Sequence, residues 1–179
     1  MSKPTSGLFE GTEGVASFYG NAEEVIAGRV EGLDLAPHPI QQKELSAKQM
    51  KALERRIENR TITAEEYKAY VWNKRFAMRR REGVRNFWKE ERKRLRAGLP
   101  GTRPWSEGDR RLIMAGKHPK WKGKPFEVHH TYAARLYPQL ANVGAILYPA
   151  THYEHLMGWH GGSYQKSLPG QRIRKIDEL

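Results

Sequence analysis

The chain has no cysteine among its 179 residues, which excludes disulfide bonds and every metal site built on thiolates. Any bound metal ion must therefore be held by histidine, aspartate, glutamate or asparagine side chains. No stretch approaches the roughly 20 consecutive apolar residues of a membrane-spanning helix, and the N-terminus lacks the basic and then apolar layout of a secretory signal peptide. We therefore expect no signal peptide, no transmembrane segment and no insertion into membranes.

Acidic residues are too few to balance the basic ones. Only 20 Asp and Glu stand against 32 Lys and Arg, so the formal net charge is +12. Residues 1–42 carry a net charge of −4, whereas residues 43–96 carry +10 and residues 97–179 carry +6. The basic parts predict a polyanion, most simply nucleic acid, as a partner. For residues 43–96 taken alone, a solvated helix face is an equally good interpretation.

Composition divides the chain into three parts. Residues 1–42 are rich in glycine and proline and predict a loosely ordered arm, with a short helix near residues 22–27. Residues 43–100 predict a basic helical region. Residues 101–179 contain short strand and turn patterns and predict a separate domain.

Capping boxes, in which Ser or Thr precedes Gln or Glu by three residues, mark the starts of two helices in the basic region. The pairs are Ser46 with Gln49 and Thr63 with Glu66. The helices should span about 47–59 and 64–96, the second broken near Gly83 and followed by Gly98 at its end.

The C-terminal part predicts strands that alternate with turns. A Lys-Gly pair between two short runs predicts a hairpin, followed by a strand at residues 126–129 and another at 146–148. Thr151 with Glu154 predicts the start of a helix, which Gly161 should terminate.

Histidines are concentrated in this part of the chain. Five of the seven lie within 32 residues: His129, His130, His152, His155 and His160. Neutral imidazoles bind divalent metals, and an imidazole can also accept a proton near neutral pH. Adjacent residues of a strand point to opposite sides, so His129 and His130 suit one ligand and one general base.

The spacing of the later histidines leaves the rest of the ligand set open. His155 and His160 lie about 140° apart on a straight α helix, too far to face one point unless the helix unwinds near His160. His152 and His155 are three residues apart and face the same way. The spacing alone decides between neither pair.

Together these residues carry a family resemblance. The segment 101–170 reads GTRPWSEGDRRLIMAGKHPKWKGKPFEVHHTY…YPQLANVGAILYPATHYEHLMGWHGGSYQKSLPG. It resembles the HNH/endonuclease VII nucleases found as C-terminal toxin domains of bacterial polymorphic toxins, particularly the branch with a GHH-type signature. The resemblance implies an α+β, mostly helical fold with a ββα-metal core (the HNH or His-Me finger), preceded by the basic helical region.

The resemblance also implies roles for the histidines. His129, His155 and His160 would hold one divalent ion, Mg²⁺, Mn²⁺, Zn²⁺ or Ni²⁺, with His152 as an alternative ligand. His130 would be the general base that activates water. Such nucleases usually cut DNA, and the ion stabilises the scissile phosphate.

Two positions depart from the family pattern. Val128 replaces the glycine of the GHH signature, and Ala145 with Ile146 occupies the place of an asparagine that braces the finger's loop. Asn142 is the nearest replacement for that asparagine. Glu154 is expected either to orient a ligand imidazole or to serve only as the third residue of its capping box.

The expected partners follow from charge and resemblance. Basic residues expected to contact phosphates are Arg79, Arg80, Arg81, Arg135, Lys166 and Arg172. They would bind the backbone without reading sequence. The resemblance implies a secreted effector that acts in the cytoplasm of a target cell and a cognate immunity protein, which should be acidic. Two alternatives are the same fold cutting RNA and a basic nucleic-acid-binding protein without catalysis.

Overall fold

The computed structural model describes residues 22–175, so the first half of the predicted arm lies outside the described residues. About half of the described residues are helical, and the strands form two small antiparallel sheets. The helices are α1 (Ala22–Arg29), α2 (Ala47–Glu58), α3 (Ala64–Arg96), α4 (Glu107–Met114), two 3₁₀ helices (Pro138–Leu140, Gly144–Ile146) and a π helix (Glu154–Trp159). The strands are β1 (Lys120–Trp121), β2 (Lys124–Pro125), β3 (Glu127–His130) and β4 (Leu147–Ala150).

Capping boxes start α2 and α3 as predicted. In each, the hydroxyl of the N-cap residue, Ser46 or Thr63, accepts a hydrogen bond from a backbone amide three residues later, and that residue's side chain accepts one in return. The residue after the α3 C-cap, Gly98, has a φ of +73°, a conformation that ends helices readily when glycine occupies it. The predicted helix boundaries at these ends are confirmed.

The predicted break in α3 near Gly83 is wrong, because the helix runs without interruption over 33 residues. The glycine instead permits a close approach of two backbones. A Cβ atom at this position would lie 2.3 Å from the carbonyl oxygen of Ala141. The loop that contains Ala141 therefore lies directly on the helix.

Helix α1 confirms the short helix that the sequence predicted near residues 22–27. Ala22, Ile26 and Val30 are at most 4% exposed and belong to the main core. Their partners in that core include Phe87 and Trp88 of α3. A single helix of eight residues is stable only through such tertiary packing.

Strands β3 and β4 bring the histidine doublet into the centre of the fold. They pair antiparallel, with His129 opposite Tyr148 and His130 opposite Leu147. All four residues of β4 are buried. The preceding hairpin β1–β2 turns at Lys122 and Gly123, which both have positive φ, so the predicted Lys-Gly turn is confirmed.

A π helix follows β4 where the sequence predicted an ordinary helix. Thr151 and Glu154 form the predicted capping pair, with the Glu154 amide 3.2 Å from the Thr151 hydroxyl. The amide of His160 then donates to the carbonyl of His155 at 3.1 Å. This bond spans five residues, the repeat of a π helix, and it places His160 one turn above His155.

None of the helices among residues 22–175 is both long and apolar enough to cross a membrane. The longest, α3, is strongly basic in its last turn.

Candidate metal centre

Three histidines from two elements converge at one point. His129 comes from β3, and His155 and His160 come from the π helix. One ring nitrogen of each lies within 4.8 Å of the others. His129 Nδ1 is 3.0 Å from His155 Nε2, which is 3.2 Å from His160 Nε2. The π helix removes the obstacle that an α helix would have posed for the last two.

The hydrogen bonds of these rings decide which nitrogens carry lone pairs. His155 Nδ1 lies 2.5 Å from a carboxylate oxygen of Glu127, and His160 Nδ1 lies 2.6 Å from the carbonyl oxygen of Lys166. Both acceptors lack protons, so each Nδ1 is an N–H donor, and in the neutral form of each ring Nε2 carries the lone pair. The two Nε2 atoms therefore direct lone pairs at each other across 3.2 Å. A cation between them would turn that repulsion into attraction, so this donor set fits a metal ion.

His129 is a buried member of the cluster, only 4% exposed. Burial lowers the pKa of His129 well below its ordinary value, and the neighbouring His155 and His160 lower it further. Its ring packs on Trp159 at 4.9 Å, while its Nε2 has no hydrogen-bond partner among the described residues. The ring is therefore neutral, the form that binds metals.

Glu127 is the residue that the sequence analysis missed. Its two carboxylate oxygens accept hydrogen bonds from His155 and His152, the latter at 2.8 Å. Burial raises the pKa of Glu127, but the two histidines outweigh it and lower the pKa overall. A signal was present in the sequence, because residues two apart on a strand share a face and Glu127 is two residues before His129.

His152 lies outside the cluster. It has an exposed side chain, 52% accessible, and its Nδ1 is used by Glu127. On an α helix His152 and His155 were the easier pair to bring together. In the structure their ring nitrogens do not meet, and each ring instead bonds to the carboxylate of Glu127.

His130 faces a different partner from its neighbour. Its Nε2 lies 2.9 Å from the carbonyl oxygen of Ala141, so Nε2–H donates and Nδ1 retains a lone pair. Burial lowers the pKa of His130 to about 4, with the Arg80 cation contributing. The low pKa keeps the imidazole neutral with a lone pair on Nδ1 that can accept a proton, and it also makes the ring a weaker base than an exposed histidine.

The Ala141 carbonyl is held in place by α3. Asn86 donates to the backbone carbonyl of Asn142 at 2.9 Å, and Gly83 provides the close contact described above. The side chain of Asn142 accepts from Arg79 at 3.2 Å. Asn142 thus tethers the loop to α3, and its neighbour Ala141 orients His130.

A cavity of about 280 Å³ opens onto the histidines. Its wall includes His129, His130, His155, His160, Arg80, Arg135, Glu44, Tyr164 and Ser167. Arg135 also donates to the Gln165 carbonyl at 2.8 Å, and Arg80 lies 3.9 Å from the Glu44 carboxylate. Two exposed guanidinium groups therefore border the same space as the three clustered histidines.

The other basic residues singled out by the sequence have different surroundings. Arg79 and Arg81 are exposed on α3, and Lys166 is exposed near the site. Arg172 is instead 7% exposed and donates two hydrogen bonds to Glu23, at 2.8 and 2.9 Å. Its guanidinium is used inside the fold rather than at a surface where it could meet phosphate.

Glu154 has a structural partner rather than a histidine. Arg103 donates to both of its carboxylate oxygens, at 2.7 and 3.1 Å, and also to the Pro149 carbonyl. Of the two expectations for Glu154, the capping box is present. The other expectation was that Glu154 would orient a ligand imidazole. It is Glu127 that accepts a hydrogen bond from a histidine of the cluster, His155.

Comparison with known proteins gives one match. Residues 71–151 match the family described as a GHH signature containing HNH/Endo VII superfamily nuclease toxin. No curated protein and no solved structure matches the chain. The matched range begins inside α3, includes His129 and His130, and ends before His155 and His160. Residues 71–151 are therefore similar to the GHH-signature HNH/Endo VII superfamily of nuclease toxins, the family that the sequence resemblance predicted.

Proposed function

We propose that the protein is a metal-dependent endonuclease that hydrolyses phosphodiester bonds in DNA with little sequence specificity. The observation that supports it most is the meeting of two functions at one cavity: three converging imidazole nitrogens and a fourth, separately oriented imidazole. On this proposal β3, β4 and the π helix make up the ββα-metal core.

His129, His155 and His160 would hold the metal ion. When bound, the ion supplies positive charge that stabilises the scissile phosphate and the leaving oxygen. Imidazole ligands suit zinc and nickel, whereas magnesium prefers carboxylate, carbonyl and water oxygens. Three neutral imidazoles therefore favour Zn²⁺ or Ni²⁺ over Mg²⁺. Glu127 orients His155 by accepting its Nδ1–H.

His130 would accept the proton of the attacking water. Its Nε2–H is committed to the Ala141 carbonyl, so proton transfer must occur at Nδ1. The tether from α3 to the loop fixes that ring. We assign His130 the role of general base and Ala141 and Asn142 the role of positioning it.

Arg80 and Arg135 would bind the phosphate groups that flank the scissile bond. Both border the cavity, and both keep an exposed guanidinium. Contacts of this kind hold the backbone in register without reading bases. Arg79, Arg81 and Lys166 would extend the same electrostatic surface along α3 and the C-terminal loop.

The biological setting proposed is that of a toxin. A member of this nuclease toxin family acts as an effector delivered into a target cell, so the producer needs a cognate immunity protein. Because the chain carries a net charge of +12, a complementary inhibitor surface would be acidic.

A cleavage assay tests the proposal directly. Supercoiled plasmid and total RNA would be incubated separately with the purified protein, first in EDTA and then with Zn²⁺, Ni²⁺, Mn²⁺ or Mg²⁺. We expect dispersed DNA cleavage that requires metal. Absence of cleavage with every ion, together with binding that EDTA does not change, would favour a non-catalytic nucleic-acid-binding protein, and cleavage of RNA alone would assign the other substrate.

Two variants separate catalysis from folding in that assay. His130→Ala should lower the cleavage rate by roughly 10²- to 10⁴-fold, the usual contribution of a general base, while metal affinity remains. His38→Ala is the matched control, because His38 is exposed and its ring pairs with Asp34, away from the histidine cluster. Full activity of His130→Ala would exclude its proposed role.

A further inference from the structure

An exposed tryptophan stands at the tip of the hairpin β1–β2. Trp121 is 55% exposed, whereas the other four tryptophans, Trp72, Trp88, Trp105 and Trp159, are buried or partly buried. The turn that follows it has positive φ at both Lys122 (48°) and Gly123 (78°). Tight two-residue turns of this kind fix the geometry of a hairpin, so the indole is presented at a defined position.

Positive charge surrounds this indole. Trp121 lies directly opposite Lys124 in the strand register, and the ammonium of Lys122 lies 6.0 Å from the indole ring centroid. Lys120 is also exposed. The segment 117–125, KHPKWKGKP, contains no acidic residue. The hairpin therefore combines an aromatic face with ammonium groups and suits an anionic partner that has flat rings.

A second exposed aromatic ring borders the same concave surface. Two adjoining cavities, of about 480 and 430 Å³, share Trp121, Lys122, Thr151 and Tyr153 in their walls. Tyr153 is 55% exposed. Cavities of this size accommodate small-molecule ligands.

Hydrogen bonds link this surface to the histidine cluster. His152 lines one of the two cavities, and its Nδ1 bonds to the same carboxylate, Glu127, that orients His155. One carboxylate, that of Glu127, thus contacts both the histidine cluster and a wall residue of the hairpin cavity.

We propose that Trp121, with Tyr153 beside it, stacks on an unpaired nucleobase of the substrate while Lys122 and Lys124 contact the adjoining phosphates. The proposal rests on the proposed nuclease function and adds to it a base contact that tolerates any sequence, since every base has a π face. It implies a preference for single-stranded or frayed substrate. An acidic protein partner would need the lysines but not a ring that stacks on bases.

Binding measurements in EDTA test this without cleavage. The probes are a fluorescently labelled single-stranded deoxyoligonucleotide of mixed sequence and an abasic deoxyribose-phosphate oligomer of equal length, followed by fluorescence anisotropy. Trp121→Ala should weaken binding of the base-bearing strand by about 5- to 150-fold, the range for loss of one stacked base. Binding of the abasic strand should not change, and Trp121→Phe should retain most of the affinity.

The control removes another half-exposed ring. Tyr67→Ala deletes an aromatic side chain of α3 that is 51% exposed and does not border these cavities, so both affinities should equal those of the wild type. Unchanged binding of both probes by Trp121→Ala would overturn the proposal, and an equal loss for both probes would overturn it too. Because these assays contain no metal, they read out the base contact even if the wild type proves unable to cut nucleic acid.

Discussion

Replacing Glu127 by glutamine should weaken metal binding without unfolding the protein. Glu127 accepts the Nδ1–H of His155 at 2.5 Å, so the carboxylate fixes both the tautomer and the orientation of a ligand ring. Glutamine has a similar shape but no charge. Glutamine has one acceptor oxygen, whereas the Glu127 carboxylate supplies one oxygen to His152 and one to His155.

The size of the effect follows from the strength and exposure of this bond. A hydrogen bond to a charged group contributes about 1.5–3 kcal/mol, but Glu127 is 36% exposed at its side chain, so solvent screening reduces that figure. Loss of such a partner usually lowers metal affinity by about 10- to 100-fold. We expect Glu127→Gln to fall in the lower half of that range for Zn²⁺.

The assay is a competition titration of Zn²⁺ against a chromophoric chelator, with thermal unfolding of each metal-free protein in parallel. Glu154→Gln is the matched control. Its carboxylate binds Arg103, whose side chain is 5% exposed, so this substitution should lower the unfolding temperature and leave the zinc affinity of the folded protein unchanged. Unchanged zinc affinity in Glu127→Gln, or a larger loss in Glu154→Gln, would refute the reasoning.

Three further predictions concern the framework that holds the site. Glu91→Ala should destabilise the protein by about 3–5 kcal/mol in urea unfolding, because this fully buried carboxylate accepts bonds from the Trp105 indole and the Thr102 amide and its loss leaves their donors unpaired. Gly83→Ala should reduce both stability and cleavage by displacing the loop that orients the general base, whereas Gly28→Ala, with no atom near the added methyl, should stabilise the protein by about 0.5–1 kcal/mol. Burial raises the pKa of Glu23, but its bonds with Arg172 outweigh this effect and lower the pKa overall. At acidic pH the unfolded state therefore binds more protons than the folded state. The stabilisation from this pair is present above pH 4.5, the ordinary pKa of Glu23, and is lost as the pH falls through the folded pKa. Unfolding at pH 3 and pH 7 should show a smaller pH difference for Glu23→Gln than for the wild type.

Features that depend on neighbouring residues could be predicted from the sequence. The N-caps of α2 and α3 and the Lys-Gly turn each involve hydrogen bonds or backbone angles within about four residues, so the local pattern is sufficient. The adjacency of His129 and His130 likewise predicts two separate environments, because a strand alternates its side chains. The family resemblance likewise rests on motifs read directly along the chain, in residues 101–170, which include His129 and His130.

Features that join distant residues were decided by the tertiary structure. Glu127 and His155 are 28 residues apart, and Glu23 and Arg172 are 149 apart, so no local pattern indicates that they pair. The same holds for Gly83. No local pattern indicates that the backbone of Ala141 lies against this residue and leaves no room for a side chain.

The histidine cluster shows how the two kinds of information combine. The sequence excluded thiolate ligands and predicted that His129 and His130 would point to opposite sides of a strand. It left open whether His155 pairs with His152 or with His160. On an ideal α helix His152 and His155 face the same way, whereas His155 and His160 face one point only if the helix unwinds near His160. The folded chain brings His155 and His160 together beside His129, because this segment is a π helix and a change in hydrogen-bond repeat alters which residues share a face.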